Sequence, residues 1–267
     1  MTKPRKLNRY ARLIEAIFMS HYREDLTEIT FERSEINQAA KELNITLPKN
    51  LGDILYTFRY RAELPESITS KTPEGSNWII RPAGRSKYKL VLAKQSVILP
   101  SEIMVETKIP DATPGIIAKY AFNDEQAVLA KIRYNRLIDI FTGITCYSLQ
   151  NHLRTTVRDI GQVETDEIYI GMDKQGAHYI LPVQAKGRRD KIGIVQIEQD
   201  LMVCATKFPE LICRPIAAQL LSEDIIALLE LEHTIDGIKV SSEKHYKLVE
   251  PEELSSDELR VYRQRSS

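Results

Sequence analysis

Between Gly161 and Asp200 the chain reads GQVETDEIYIGMDKQGAHYILPVQAKGRRDKIGIVQIEQD, and its chemistry-bearing residues fall at strand spacing. Glu164 and Asp166 are two apart, as are Gln184 and Lys186, so each pair shares one face of an extended strand. Where the two faces coincide across a hairpin, two carboxylates, an amide oxygen and an ammonium converge at one end of it. Hard oxygen donors of that kind suit Mg²⁺, or Mn²⁺ in its place, and Mg²⁺ usually keeps several of its waters. A cation held there polarises a phosphoryl oxygen and lowers the pKa of a coordinated water. A lysine beside it can orient or deprotonate that water, or meet the charge that develops on phosphorus. The chemistry that fits is metal-assisted hydrolysis of a phosphodiester. The same spacing also fits an exposed hairpin carrying ordinary solvated charges.

The elements that must position these residues are written around them. Ile168-Tyr169-Ile170-Gly171 and His178 to Val183 are apolar runs of strand length, and Asp173-Lys174-Gln175-Gly176 between them predicts a hairpin turn. Asp190 to Phe208 reads as a helix, with Ile194, Ile197, Leu201, Ala205 and Phe208 on one face and Gln196 near its start. Upstream, Asn123-Asp124-Glu125 opens a helix expected to run to about Phe141, with Arg133, Asn135 and Arg136 either touching phosphate or facing water. Glu125 lies in its first turn, where the helix dipole favours a carboxylate. Cys146 to Val157 is expected as the first strand of a sheet, and its lone His152 reads as a structural histidine rather than a catalytic base. Leu211 to Leu221 and Ile225 to Glu232 follow as further strands. Helix, strand, strand, strand, helix, strand is the order of an α/β (α+β) domain, a mixed sheet flanked by helices.

The hairpin and the helix after it resemble the PD-(D/E)XK nuclease superfamily, which includes many type II restriction endonucleases and Holliday-junction resolvases. Asp166 matches the family's first acid and Lys186 its lysine. Gln184 stands where the family usually has Asp or Glu, and Thr165 where it has Pro. A glutamine carbonyl can ligate a cation but brings no charge, so Glu164 is expected to compensate. The resemblance implies Asp166, Gln184 and Glu164 as metal ligands and Lys186 as the catalytic lysine. It further implies Gln196 in a supporting place, with Glu125 reaching the site from the preceding helix. It covers Asn123 to Leu221, under half the chain.

The amino-terminal third has a different pattern. Leu7 to Tyr22, Arg33 to Leu43 (capped by Ser34) and Leu51 to Arg61 read as helices, with the extended run Glu28 to Phe31 between the first two. Asn77 to Ile80 and Tyr88 to Leu92 read as a hairpin. That order predicts a winged helix. Arg59 and Arg61 end its third helix, where they can read bases, and Arg81, Arg85, Lys87 and Lys89 make a basic wing that can follow phosphates. The boundaries expected are a winged-helix-like domain over 1–95, a linker over 96–120, a nuclease domain over 121–250 and a charged tail over 251–267, either a terminal helix or a disordered end.

Lys+Arg and Asp+Glu both total 37, so net charge argues neither for nor against nucleic acid and only clustering can. The three cysteines, Cys146, Cys204 and Cys213, lack metal-ligand spacing and read as reduced thiols. No apolar run is long enough to span a membrane, and the first residues lack the apolar core of a signal peptide, so a cytoplasmic protein is expected. These readings converge on a metal-dependent DNA endonuclease of sequence-specific, type II restriction character. A homodimer would match the two-fold symmetry of double-stranded DNA. The alternatives are a structure-specific repair or junction nuclease, and a DNA-binding regulator whose nuclease-like domain is inactive.

Overall fold

Helical and strand periodicities alternate along the first hundred residues, and they fold accordingly. The computed structural model describes residues 8–60, 62–120, 125–158, 160–235 and 237–265. Its contacts divide into two units, Met1–Ile98 with Thr156–Val163 and Gly193–Gln199, and Leu99–Thr155 with Glu164–Ile192 and Asp200–Ser267. In the first unit α1 (Arg9–His21) is followed by β1 (Glu28–Glu32), α2 (Arg33–Glu42), α3 (Gly52–Tyr60), α4 (Glu66–Thr69), β2 (Asn77–Pro82), β3 (Lys87–Ala93) and β4 (Val97–Ile98). Asn8 caps α1 by accepting the Ala11 amide at 2.8 Å. The cap of α2 is Glu32 rather than Ser34: its carboxylate and that of Glu35 each take a backbone amide of the other's end, satisfying two orphan donors at once. The strands pair antiparallel in the order β1-β3-β2. Phe18, Ile29, Phe31, Ile36, Ile54, Leu55, Ile80 and Leu90 fill the core beneath them, and Trp78 lies edge-on to Phe18 at 5.3 Å.

The second unit is a mixed sheet flanked by helices. Its elements are β5 (Glu106–Pro110), α5 (Gly115–Tyr120), α6 (Glu125–Tyr134), α7 (Leu137–Thr142), β6 (Thr145–Val157), β7 (Gly161–Met172), β8 (His178–Lys186), β9 (Ile192–Gly193) and α8 (Ile194–Lys207). β10 (Ile212–Cys213), β11 (Ile216–Leu220), β12 (Ile225–Thr234), β13 (Gly237–Val249) and α9 (Ser256–Arg265) complete it. Eight strands form one sheet in the order β5-β13-β12-β11-β8-β7-β6, with β10 beside β8. β8 runs parallel to β11 and antiparallel to β7, and β5 runs parallel to β13. β8 and β11 lie at the centre and are buried on both faces, which is why YILPV and IAA read as almost continuous apolar runs. Tyr169, Leu181, Val183 and Ala185 pack toward Val128, Leu129 and Ile132 of α6, while Ile168 and Ile180 pack with Cys204 of α8.

Several segments differ from their sequence-based expectation. The stretch 96–120 contributes an edge strand, β5, to the sheet. The helix expected to open at Asn123 is two helices; Asn123 and Asp124 themselves lie outside the described residues. Arg136 adopts a left-handed φ of 49° between α6 and α7. Asn135, buried beside it, accepts the Ala112 amide at 2.7 Å and donates to Asp111 Oδ1 and Thr113 Oγ1 at 3.0 Å each. Its side chain thus ends the helix by bonding another segment of backbone. Leu211 to Leu221 is two strands parted at Arg214-Pro215, because proline brings no donor to a ladder. The charged tail ends in α9, anchored where Tyr262 Oη accepts the Lys108 amide at 2.9 Å.

Candidate active site

Strand β8 ends at Lys186, and its partner strand β7 carries Asp166 near the same end of the sheet. Asp166 Oδ2 accepts the Ala185 backbone amide at 2.9 Å and lies 3.7 Å from Lys186 Nζ. On its other side Lys186 donates to Glu125 Oε1, from the first residue of α6. Lys186 and Asp166 are each only 7% exposed, so an ammonium and a carboxylate are held together with little water. Burial raises the Asp166 carboxyl above its ordinary range, against the lowering influence of Lys186 and of the Ala185 amide, and the Glu125 charge adds to the rise. Glu125 also lines a cavity of about 580 Å³, together with Gln126, His152, Gly187, Arg188, Arg189 and Asp190.

No family model, curated protein or solved structure matches the chain. The site therefore rests on its own geometry.

Gln184 is held on the side of Asp200, a carboxylate whose charge Lys186 also favours. Gln184 is fully buried, and its Nε2 donates to Asp200 Oδ2 at 2.9 Å and to the Glu164 carbonyl at 3.3 Å. Thr165 donates to the other oxygen, Asp200 Oδ1, at 2.6 Å. Complete burial pushes the Asp200 carboxyl up to about 7 despite these two donors. Asp200 was not among the residues expected at the site. Its signal in the sequence is a carboxylate at i+3 from Ile197 and i−4 from Cys204, on the buried stripe of α8. The Glu164 carboxylate meets Arg154 at 3.1 Å and His152 Nδ1 at 3.7 Å. Gln196, in the first turn of α8 and grouped with the first unit, accepts the Gly193 amide at 3.1 Å.

His152, expected to be a hydrogen-bonded structural histidine, also lines the cavity. Its side chain is 44% exposed, it contacts Gln126 at 2.6 Å, and its backbone takes a positive φ of 47° within β6. Arg133 and Arg136, expected to touch phosphate or face water, each pair with an acid, and the Arg136 side chain is 60% exposed. Arg133 grips the fully buried Glu167 through Nε and Nη2, both at 3.0 Å, and Arg136 pairs with Asp139.

In the first unit most of the basic residues expected to meet DNA are held by acids. Arg81 makes a two-armed pair with Glu198, Lys89 lies 2.9 Å from Glu28 and Lys87 3.8 Å from Glu32. Arg85, at the hairpin turn, is exposed and makes no ion pair among the described residues. Arg59 lies over the Tyr60 ring at 4.8 Å, with Nε and Nη2 buried and unpartnered. Arg61 lies outside the described residues.

Among the described residues no group of three or more His, Cys, Asp or Glu side chains is arranged to hold a metal ion. The donor set beside Lys186 is instead the carboxylates of Asp166 and Glu125. Mg²⁺ is commonly bound through one or two carboxylates with water filling its remaining positions, so the set fits that ion.

Proposed function

We propose that the chain is a Mg²⁺-dependent endodeoxyribonuclease, a phosphodiester hydrolase of the sequence-specific restriction type, with a winged-helix-like DNA-binding part at its amino-terminal end. The observation that carries the reading is Lys186, nearly buried between the carboxylates of Asp166 and Glu125, the second of which lines an open cavity. A buried lysine held by two acids is costly to fold around, and such arrangements concentrate at functional sites. The resemblance of the hairpin to PD-(D/E)XK nucleases supports the same roles for Asp166 and Lys186.

Asp166 and Glu125 would hold the cation, with Glu164, on the neighbouring rim, able to add charge. Bound there, Mg²⁺ supplies polarisation of a phosphoryl oxygen and a more acidic water. Lys186 orients the attacking water and meets the negative charge that grows on phosphorus. The Ala185 amide fixes the rotamer of Asp166, and α6 fixes Glu125, so the trio is set before substrate arrives. The winged-helix reading is supported by the element order of the first unit and its β1-β3-β2 sheet. Arg85 at the turn of the wing is its available phosphate contact.

The test is incubation of the purified protein with DNA of varied sequence plus Mg²⁺ or Mn²⁺, followed by sequencing of the new ends. Ends that share one short sequence are expected. Ends that cluster at branches or lesions would make it a repair nuclease, and binding without any cut would leave a regulator.

A further inference from the structure

The cavity that Glu125 lines has a basic lip, Arg188 and Arg189, that the trio does not use. We infer that the loop Gly187 to Lys191, chiefly through Arg189, binds the backbone phosphate next to the one being cut. This rests on the nuclease reading for the word "next", and on the loop alone for the phosphate.

The loop follows the site lysine without a break. Asp190 N donates to Gly187 O at 3.3 Å, which closes a turn and carries Arg188 and Arg189 at its crown. Its root is pinned, because Gln219 of the central strand β11, itself 5% exposed, donates to the Gly187 carbonyl at 2.5 Å. Both arginines are exposed and both line the cavity. Arg188 has one loose partner, Glu223 at 3.5 Å, whose side chain is itself 79% exposed. Arg189 has no ion pair or hydrogen bond among the described residues, so its five donors are available to a ligand. Asp190 also lines the cavity, and the run Arg188-Arg189-Asp190-Lys191 still carries a surplus of two positive charges.

An unpaired guanidinium on an anchored turn matches an anion with paired oxygens, which a phosphate is. Arg189 stands three residues beyond Lys186, a separation of about 10 Å at most along extended chain. Each strand of a duplex carries a charge at about every 3.4 Å of its axis, so a neighbouring phosphate falls within reach of a long side chain there. A substrate with a single phosphodiester would leave this subsite empty. The site is therefore shaped for a polynucleotide strand rather than for a mononucleotide or cyclic nucleotide.

Methylphosphonate interference tests this with the full-length protein. A duplex pool carrying one neutral methylphosphonate per molecule, at every position in turn, is bound without divalent cation and separated into bound and free fractions. Wild type should be weakened about tenfold at a few positions, one of them adjoining the bond cut when Mg²⁺ is added. R189A should lose the interference at that one position and keep the others, and R189K should restore part of it. An R189A pattern identical to wild type, or one weakened evenly at every position, would overturn the inference while leaving the nuclease reading intact. Loss of one interference position in a protein that cuts nothing would overturn the nuclease reading and keep the phosphate contact. Wild type that binds no DNA would sink both.

Discussion

Asp166, Glu125 and Lys186 hold one another in position, the ammonium lying between the two carboxylates. Asp166→Asn should lower cleavage at least about a hundredfold through loss of a cation ligand, measured as turnover in saturating Mg²⁺. The same change should tighten metal-free DNA binding, because it removes a negative charge that faces phosphate. Buried Glu167 makes a separate expectation. Arg133→Ala leaves that carboxylate without its cation and should cost about 3 kcal/mol in urea unfolding, whereas a loss within experimental error would mean that water reaches Glu167. Asp200 links the interior to pH. Its folded carboxyl titrates near 7 and an unfolded aspartate near 4, so between those values the folded state holds a proton that the unfolded state lacks. Stability contributed there falls as pH rises through the window, by up to about 1.4 kcal/mol per pH unit. Asp200→Asn should thus gain on wild type steadily from pH 4 to pH 7, and a constant difference would contradict the assignment. Spacing of two along a strand paired Glu164 with Asp166 and Gln184 with Lys186, and the resemblance to a nuclease family was what singled out Asp166 and Lys186 and gave first-turn Glu125 a role at the site. The partner of Gln184 was not legible, because Asp200 comes to it from a helix sixteen residues on and only tertiary packing brings them together. His152 was passed over because a lone histidine has no spacing to read.

At the scale of elements, the hairpin of β7 and β8 was the most legible part of the chain. Asp173 closes its turn by accepting the Gln175 and Ala177 amides at 2.9 and 3.0 Å, and Gly176 takes the positive φ of 83° that favours glycine. Gly171 on β7 is needed for a different reason, since a Cβ there would lie 2.7 Å from Ile144 Cγ2 and 3.2 Å from Cys146 Sγ. Gly171→Ala should destabilise by about 1–3 kcal/mol through overpacking between strand and α7 loop, read as a lower thermal midpoint. An unchanged midpoint would mean that the edge of the sheet can shift. Other elements were hidden. The break between α6 and α7 carries neither Pro nor Gly, and is made by the long-range bonds of Asn135. β13, GIKVSSEKHYKLV, was missed because much of it is polar and exposed, so its alternation is faint although it pairs along its length with β12. β5 was hidden in a stretch rich in Pro and short polar breaks, where only its pairing with β13 defines it.

For the whole molecule, a net charge of zero means that attraction to DNA must come from local groups. Most of the cations on the β2–β3 hairpin, the proposed wing, are already paired, which leaves Arg85 as the contact to test. Arg85→Ala should weaken binding to all sequences alike and flatten the salt dependence by about 0.9 in slope, and an unchanged slope would remove the wing from the interface. The alternation of helices and strands, and the mixed sheet flanked by helices, were legible in the order of elements. The details of the site's lip were not, because charges on a loop carry no period. The central claim is that Lys186 serves the chemistry rather than the fold, and the direct measurement is cleavage by Lys186→Ala beside its DNA affinity and thermal midpoint. Cutting in Mg²⁺ should disappear while affinity stays near that of wild type and the protein remains folded, with a midpoint lowered because buried Asp166 has lost its cation. Full cutting by Lys186→Ala would contradict the account.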